Sequence, residues 1–496
     1  MDKLKDALKE LGKSDYYPFH MPGHKRRAGE YFDYNPCLED ITEIDGFDNL
    51  HHPEGILKEE QEFAAGAFGA EESFFLVNGS SCGVMAAIAA VAADSGQKLL
   101  MGRNGHRSAY NGLYFANVQA DYLYPEKIPG VSFLGAVDPD DVLKALNGNA
   151  SYSGIFLTSP TYEGIVSDVE KICEAAHEKN IPVIVDEAHG AHLGLFGGDG
   201  YFPKGALCRG ADIVIESLHK TLPAMTQTAI LHVQGNLVDK EKLKLYLAMF
   251  QSSSPSYVLM ESISSCIHFC MENKQRLLED YKKRLVDFYG RTKELTCLKI
   301  ITPSLTGQYF GGRIRTEADP GKLLIGVGTS GLTGRELYDI LREKYHLQME
   351  MAAVDYVIAM TSVMDTDEGF ERLIRALKEI ALWSSEQKSA GRAGAKTRKE
   401  KCRTVCSDIG DPAAVYSVRE ALSKRSTPVD LDKCPGRISG EFIYLYPPGI
   451  PVIVPGERIG KELPGYLKGA AGMGLSIQGL RDYEHKKVFC IQDEAE

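Results

Sequence analysis

Between about residue 55 and residue 235 the chain alternates strand-length apolar runs with amphipathic helical stretches, and this alternation restricts its fold more than any other feature. The runs are Ser73–Val77, Gly154–Thr158, Ile181–Val185 and Asp212–Ile215, the last three rich in Ile and Val. Helix-like segments such as Asp168–Lys179 lie between them. Strands joined by crossover helices pair in parallel, and a parallel sheet needs cover on both faces. The pattern therefore predicts an α/β large domain built on a mainly parallel sheet. Ligands of such sheets bind beyond the C-terminal ends of the strands. The residues that follow each run are where chemistry is expected.

Four segments stand at such ends. In Val77-Asn-Gly-Ser-Ser-Cys-Gly83, Gly79 permits a tight turn and the hydroxyls of Ser80 and Ser81 flank the free N–H groups of a following helix. That combination cradles an anion, although Gly/Ser-rich turns are common and this one matches neither the P-loop nor the dinucleotide fingerprint. In Val183-Ile-Val-Asp-Glu-Ala-His189, Asp186 closes an apolar strand, so its charge needs a cation such as a protonated pyridine nitrogen. The alternative reading makes Asp186 a helix N-cap with Glu187 in the first turn. In Ile213-Val-Ile-Glu-Ser-Leu-His-Lys220-Thr-Leu-Pro223, Ser217 and His219 flank Lys220. A lysine kept out of water near other cations loses basicity, as an amine that forms a Schiff base must. In Arg103-Asn-Gly-His106, the imidazole can stack flat on an aromatic cofactor or serve only as a hydrogen-bonded loop residue. Taken together, a phosphate cradle, a flat ring, a buried Asp and a Ser-x-His-Lys segment match the large domain of fold-type I pyridoxal-phosphate (PLP) enzymes.

The remainder of the chain sets limits. Its 496 residues, 44% apolar, suffice for two or three domains. A net charge of −12 argues against a nucleic-acid-binding face. Met1–Lys13 is charged and lacks the apolar segment of a signal peptide, and no apolar run is long enough to span a membrane. The most apolar stretch, Val84–Ala93, reads as a buried helix. The eleven cysteines are scattered, as expected for reduced thiols of a cytoplasmic protein. Cys402 and Cys406 are the one pair with a metal-like spacing, but no second pair matches them, and no metal is expected. After Glu261 a helical pattern runs to about Leu295, followed by a smaller α+β unit. The basic stretch Lys388–Arg403 has no apolar face and reads as a solvated linker, with contact to a nucleic acid or an acidic partner as its alternative.

Over nearly its whole length the sequence resembles the Orn/Lys/Arg decarboxylases of the bacterial fold-type I kind. The resemblance rests on Phe19-His-Met-Pro-Gly-His-Lys25, Asp48-Asn-Leu-His-His-Pro-Glu-Gly55 and Phe75-Leu-Val-Asn-Gly-Ser-Ser81. Further matches are Ser159-Pro-Thr-Tyr-Glu-Gly164, Val185-Asp-Glu-Ala-His-Gly-Ala-His192, Ser217-Leu-His-Lys-Thr-Leu-Pro223 and Gln251-Ser-Ser-Ser-Pro-Ser-Tyr257. The C-terminal Tyr446-Pro-Pro-Gly-Ile-Pro and Val454-Pro-Gly-Glu457 are the most specific. It is the short form that the chain resembles, without the N-terminal wing domain.

That resemblance implies a fold-type I PLP-dependent transferase-like large domain at 55–295, preceded by a segment at 1–54. A small α+β domain at 296–385, a basic linker at 386–403 and a C-terminal decarboxylase domain at 404–496 follow. By position, Lys220 would carry PLP as a Schiff base, Asp186 would pair with its pyridine nitrogen and His106 would stack on its ring. Ser80, Ser81, Ser217 and His219 would hold the phosphate, while Ala188 and His189 would line the ring's other side. Ser253 and Ser254 would reach the phosphate of a neighbouring subunit, making the protein a homodimer or higher homo-oligomer. Glu457 would bind the cationic end of the substrate, and Lys220 or His219 would return a proton to Cα. One departure is Gly105, where many relatives carry a bulkier residue before the stacking histidine. The expected reaction is α-decarboxylation of lysine, arginine or ornithine, giving cadaverine, agmatine or putrescine and CO2. Alternatives are another fold-type I reaction, such as transamination or elimination, and a non-catalytic PLP-binding protein.

Overall fold

In the computed structural model, residues 10–27, 36–92, 96–128, 132–301, 317–389, 410–446 and 449–492 are described. Cys402, Cys406 and most of the basic stretch lie outside these residues, as do Pro447 and Pro448 of the C-terminal signature.

The alternating region forms one seven-stranded sheet. Its strands are β1 (Glu72–Leu76), β2 (Lys98–Gly102), β3 (Ala120–Leu123), β4 (Tyr152–Thr158), β5 (Val183–Asp186), β6 (Ile213–Glu216) and β7 (Ala229–Val233), in the spatial order β1-β7-β6-β5-β4-β2-β3. The steps from β6 through β5, β4 and β2 to β3 are all parallel. Only β7 runs the other way, antiparallel to both β6 and β1. Two reversals cancel, so β1 points in the same direction as β6. The C-terminal ends of β1, β2, β5 and β6 thus share one edge of the sheet, as the sequence pattern predicts.

Strand periodicity divides the apolar residues between the two faces. Met101, Phe156, Ile184, Ile213 and Ile215 pack with Ile88 and Tyr110, from the helices Gly79–Ala92 and Arg107–Ala116. Their neighbours Leu100, Ile155, Val185 and Val214 pack with Val142 and Ile172, from the helices Pro139–Leu146 and Val169–His177. Both layers are fully buried, so truncating a residue such as Ile184 to Ala would cost roughly 2–5 kcal/mol. The helix expected at Asp168–Lys179 forms with Asp168 as its N-cap, the carboxylate accepting from the N–H of Lys171.

The long helical pattern after Glu261 forms two helices, Tyr257–Glu272 and Lys274–Thr292. The break falls at Asn273, whose side-chain amide donates to the carbonyl of Phe269 and competes with the backbone ladder. Beyond it an antiparallel sheet contains β8 (Lys299–Ile301), β9 (Lys322–Gly326), β10 (Met351–Ala352) and β11 (Tyr356–Met360). The last helix of this unit, Asp367–Ser389, runs past the boundary expected at 385.

The N-terminal segment is stitched into this unit. The short strand Tyr17–Phe19 pairs in parallel with Leu347–Met349. The buried Nζ of Lys25 donates to the carbonyls of Pro18, His20 and Met360 and lies 3.9 Å from Asp365. The C-terminal region carries a three-stranded antiparallel sheet with Ile443–Tyr446 at its centre, and Val418 and Val454 join the core over the helices Gly79–Ala92 and Arg107–Ala116. Among the described residues no helix is long and apolar enough to cross a membrane, and Cys82, Cys173, Cys208, Cys266, Cys270, Cys434 and Cys490 are free thiols.

Candidate active site

Asp186 ends β5, paired with Thr158 of β4 and Ile215 of β6. It is not a helix cap, because the next helix begins at Ala191 with Gly190 in the cap position. Its Oδ1 accepts from the N–H of Ala188 at 3.1 Å. Burial raises the carboxyl pKa, against which the charge of Lys220 and the Ala188 N–H work. Such a carboxylate is held in reserve for a cation.

Lys220 lies in the one-turn helix Leu218–Thr221 after β6. Its Nζ is 3.0 Å from Nε2 of His189, which follows β5. Burial lowers the lysine pKa, with Asp186 and then Glu350 resisting. The adjacent His219 has its Nδ1 2.8 Å from the carbonyl of Thr228. A carbonyl only accepts, so Nδ1 carries the hydrogen and Nε2 keeps its lone pair. Burial brings His219 down to about 4, with Lys220 adding to the shift. The Oγ of Ser217 is fully buried and has no hydrogen-bond partner among the described residues.

Ser80 and Ser81 occupy the first turn of the helix Gly79–Ala92, partly open to solvent, where helical N–H groups have no partner within the helix. Gly79 makes the entry possible with φ +76°. His106 caps the helix Arg107–Ala116, Nδ1 accepting from the N–H of Ser108. Its ring remains solvent-accessible at the mouth of the site, yet desolvation, Lys220 and Arg107 lower it to about 4. At Gly105 a Cβ would lie 2.8 Å from the terminal methyl of Met101, so a bulkier residue would fit only with that flexible side chain displaced.

The N-terminal segment packs directly on the lysine helix. The N–H of Gly23 donates to the carbonyl of His219 at 2.8 Å, and a Cβ at Gly23 would stand 2.6 Å from the carbonyl oxygen of Leu222. Only glycine allows this approach.

One sequence expectation changes. Glu457 is not poised for a substrate, because it is 1% exposed and its oxygens are taken. Oε1 accepts from Nε of Arg103 and Oε2 from Nη2, both at 2.8 Å, and Oε2 also accepts from the N–H of Val454. Ser253 and Ser254, expected at the phosphate of a neighbouring subunit, lie exposed in the loop after the helix Lys240–Phe250.

Three side chains not singled out from the sequence complete the site. Lys322 of β9 is buried and places Nζ 2.8 Å from Nδ1 of His189. The ring of Tyr162 packs edge-on against His189, centroids 4.8 Å apart, and its hydroxyl donates to Oε1 of Glu350 at 2.5 Å. Glu350 also accepts from the N–H of Met21 and acts electrostatically on Lys220 and Lys322. No local pattern marks Lys322 or Glu350, because each reaches the site from the small unit.

The comparisons agree with this geometry. Residues 3–308 match the family model of the Orn/Lys/Arg decarboxylase major domain, and residues 397–483 match that of its C-terminal domain. The chain belongs to the Orn/Lys/Arg decarboxylase family. It is a PLP-dependent amino-acid decarboxylase. It is 30% identical to an arginine decarboxylase of Bacillus subtilis over 99% of this chain and 98% of that one. A constitutive lysine decarboxylase of Escherichia coli is 25% identical over 58% of this chain and 43% of its own length. A solved lysine decarboxylase from Francisella novicida shares the fold with a TM-score of 0.75 at 19% identity, covering 99% of this chain and 81% of that one.

The residues present fit the cofactor of such enzymes. The orphaned Ser217 hydroxyl and the helix start at Ser80, at the same edge of the sheet, suit a phosphate, and the buried Asp186 suits a ring cation.

Proposed function

We propose that this decarboxylase acts on a basic amino acid, arginine before lysine or ornithine, releasing CO2 and agmatine. The observation that carries the reading is the juxtaposition of Lys220 and the buried Asp186 at one sheet edge, together with a full-length relative that is an arginine decarboxylase. Bound PLP would supply the electron sink for loss of the carboxylate. Lys220 is the amine that holds it, and Asp186 keeps its ring nitrogen protonated. Ser80, Ser81, Ser217 and His219 take its phosphate, while His106 and the pair Ala188 and His189 bound its two faces. Lys220 or His219 returns the proton to Cα.

Glu350 replaces Glu457 as the proposed acceptor of the substrate's distal cation. It is half-buried, faces the lysine cluster and uses one described donor on each oxygen. A second lone pair on each oxygen suits a planar guanidinium, which favours arginine over a point charge. Arg103, a strong cation near His106, is committed to Glu457 and does not clamp the α-carboxylate as a transaminase arginine would.

Ser253 and Ser254 reach the partner's phosphate in a homodimer, a reading supported by exposed Phe115, Leu245 and Met249 on neighbouring helices. The test is a competition of arginine, lysine and ornithine for the PLP-loaded protein, with CO2 and amines quantified. Agmatine as the main product is expected, and keto-acid without CO2 would refute the reading. Lys220→Ala should abolish turnover and the visible cofactor band.

A further inference from the structure

His189 lies between two lysines. Lys220 Nζ is 3.0 Å from Nε2 and Lys322 Nζ is 2.8 Å from Nδ1, so the three residues form one hydrogen-bonded line. They come from three separate elements: the turn after β6, β9 and the turn after β5. Burial, with the neighbouring lysines adding to it, holds His189 well below the ordinary imidazole value, so its ring is neutral.

A neutral imidazole has one N–H and one lone pair, whereas a lysine ammonium has three donors and no acceptor. Two ammonium groups would therefore leave the imidazole N–H pointing at a donor. At least one of the lysines must be an amine, and the surroundings decide which. Lys322 faces the carboxylates of Asp319, Glu350 and Glu163, while Lys220 faces Asp186 and Glu350. Burial works against ionised Asp319, but His192, 3.1 Å away, Lys322 and the N–H of Gly321 outweigh it. Asp186 lacks comparable support, since burial raises it. His106, His219 and Tyr162, the other titratable groups facing His189, are all neutral at pH 7. Lys322 thus has the better claim to the charge; burial lowers it, but only to about 8.

We propose that Lys322 is a positioning residue for Lys220, its ammonium acting through the Nε2–H tautomer of His189 to hold the Lys220 amine in its free, nucleophilic form. The Lys322 ammonium donates to Nδ1, and Nε2–H donates to the lone pair of Lys220. The same line can move one proton without net change. Lys322 gives a proton to Nδ1, Nε2 gives its own to Lys220, and Lys322 becomes the amine. Lys220, while a free amine, thereby takes the charge that Lys322 gives up. The inference rests on the function proposed above, since it gives Lys220 the role of the reacting amine.

The test reads Lys220 itself. The cofactor-free chain is labelled with trinitrobenzenesulfonate across pH, and modification of the Lys220 peptide is followed by mass spectrometry. In the unaltered protein the midpoint should fall at least one unit below the ordinary lysine value of about 10.4. Lys322→Met and Lys322→Gln should raise it by a unit or more, slowing labelling at pH 8 about tenfold. Lys322→Arg, which keeps the charge, should restore the low midpoint. An ordinary midpoint in the unaltered protein overturns the proposal without any variant, as does one that neutral Lys322 variants leave in place. Borohydride reduction of the PLP-loaded protein separates the two readings. A tag on another lysine defeats the proposed function, whereas a tag on Lys220 with an unmoved midpoint defeats only the role of Lys322.

Discussion

Arg103 and Glu457, 354 residues apart, form a buried two-point ion pair with both N–O distances at 2.8 Å. The guanidinium also donates to the hydroxyl of Tyr110 and the carbonyl of Pro451, and His106 follows three residues later. The pair therefore ties the C-terminal domain to the loop that carries His106.

Removing one member leaves the other charge buried and unpaired, which costs about 3–5 kcal/mol. Glu457→Gln should accordingly lower the thermal midpoint by several degrees while leaving the KM for arginine within about twofold at permissive temperature. Calorimetry and steady-state kinetics on the same preparation check this. A raised KM with unchanged stability would return Glu457 to the substrate.

Glu350→Gln should behave in the opposite way. The isosteric amide keeps an acceptor for the Tyr162 hydroxyl but loses the charge. A charge-assisted hydrogen bond contributes about 1.5–3 kcal/mol, so the KM for arginine should rise by roughly ten- to a hundredfold. Circular dichroism and melting should change little. An unaltered KM places the substrate's cationic end elsewhere.

Gly23→Ala tests the seat of the lysine helix. The new methyl would stand 2.6 Å from a backbone oxygen of Leu222, which cannot swing aside as a side chain would. Relief of the overlap costs about 1–3 kcal/mol and should displace the turn bearing His219 and Lys220. Weaker retention of PLP on dialysis, with secondary structure intact, is the expected result. Tight retention would show that the segment only covers the site.

Glu187, the residue after Asp186, belongs to a buried acid pair. Glu187, whose Oε2 accepts from the N–H of Ala206, shares its pocket with Glu216, and burial raises both carboxyls, Glu187 to about 8. The folded form then keeps a proton that the unfolded chain releases near pH 4.3, so stability falls as pH rises from that value through 8. Glu187→Gln removes the share of this dependence that Glu187 contributes, leaving that of the still-buried Glu216, and should stabilise the protein at pH 7 by up to about 3 kcal/mol. Below about pH 4.3 the two proteins should converge. Melting curves between pH 5 and 8.5 decide it, and a variant less stable at pH 8 would contradict the account.

Much of the site was legible before any coordinates. Asp186, Lys220, His106 and Ser80 each follow an apolar run, and strand direction alone brings such positions to one edge. The order of the strands was not legible, and neither was the reversal of β7 that leaves β1 aligned with β6. The single long helix expected after Glu261 failed at Asn273 because a side-chain amide competing with the backbone leaves little trace in periodicity. Glu457 was misjudged because a carboxylate in a conspicuous motif is indistinguishable, in sequence, from one already neutralised by a distant arginine.

Sequence by itself determined the sheet, its chemical edge and the amine expected to react there, since these follow from hydrophobic period and from residues adjacent along the chain. Only the tertiary structure decided which charges are free and which are spent. It pairs Glu457 with Arg103, brings Glu350 and Lys322 in from the small unit, and sets His189 between two lysines. Those outcomes depend on distances of about 3 Å between groups tens to hundreds of residues apart, and electrostatic energies in a buried site are set by such distances and by the water they exclude.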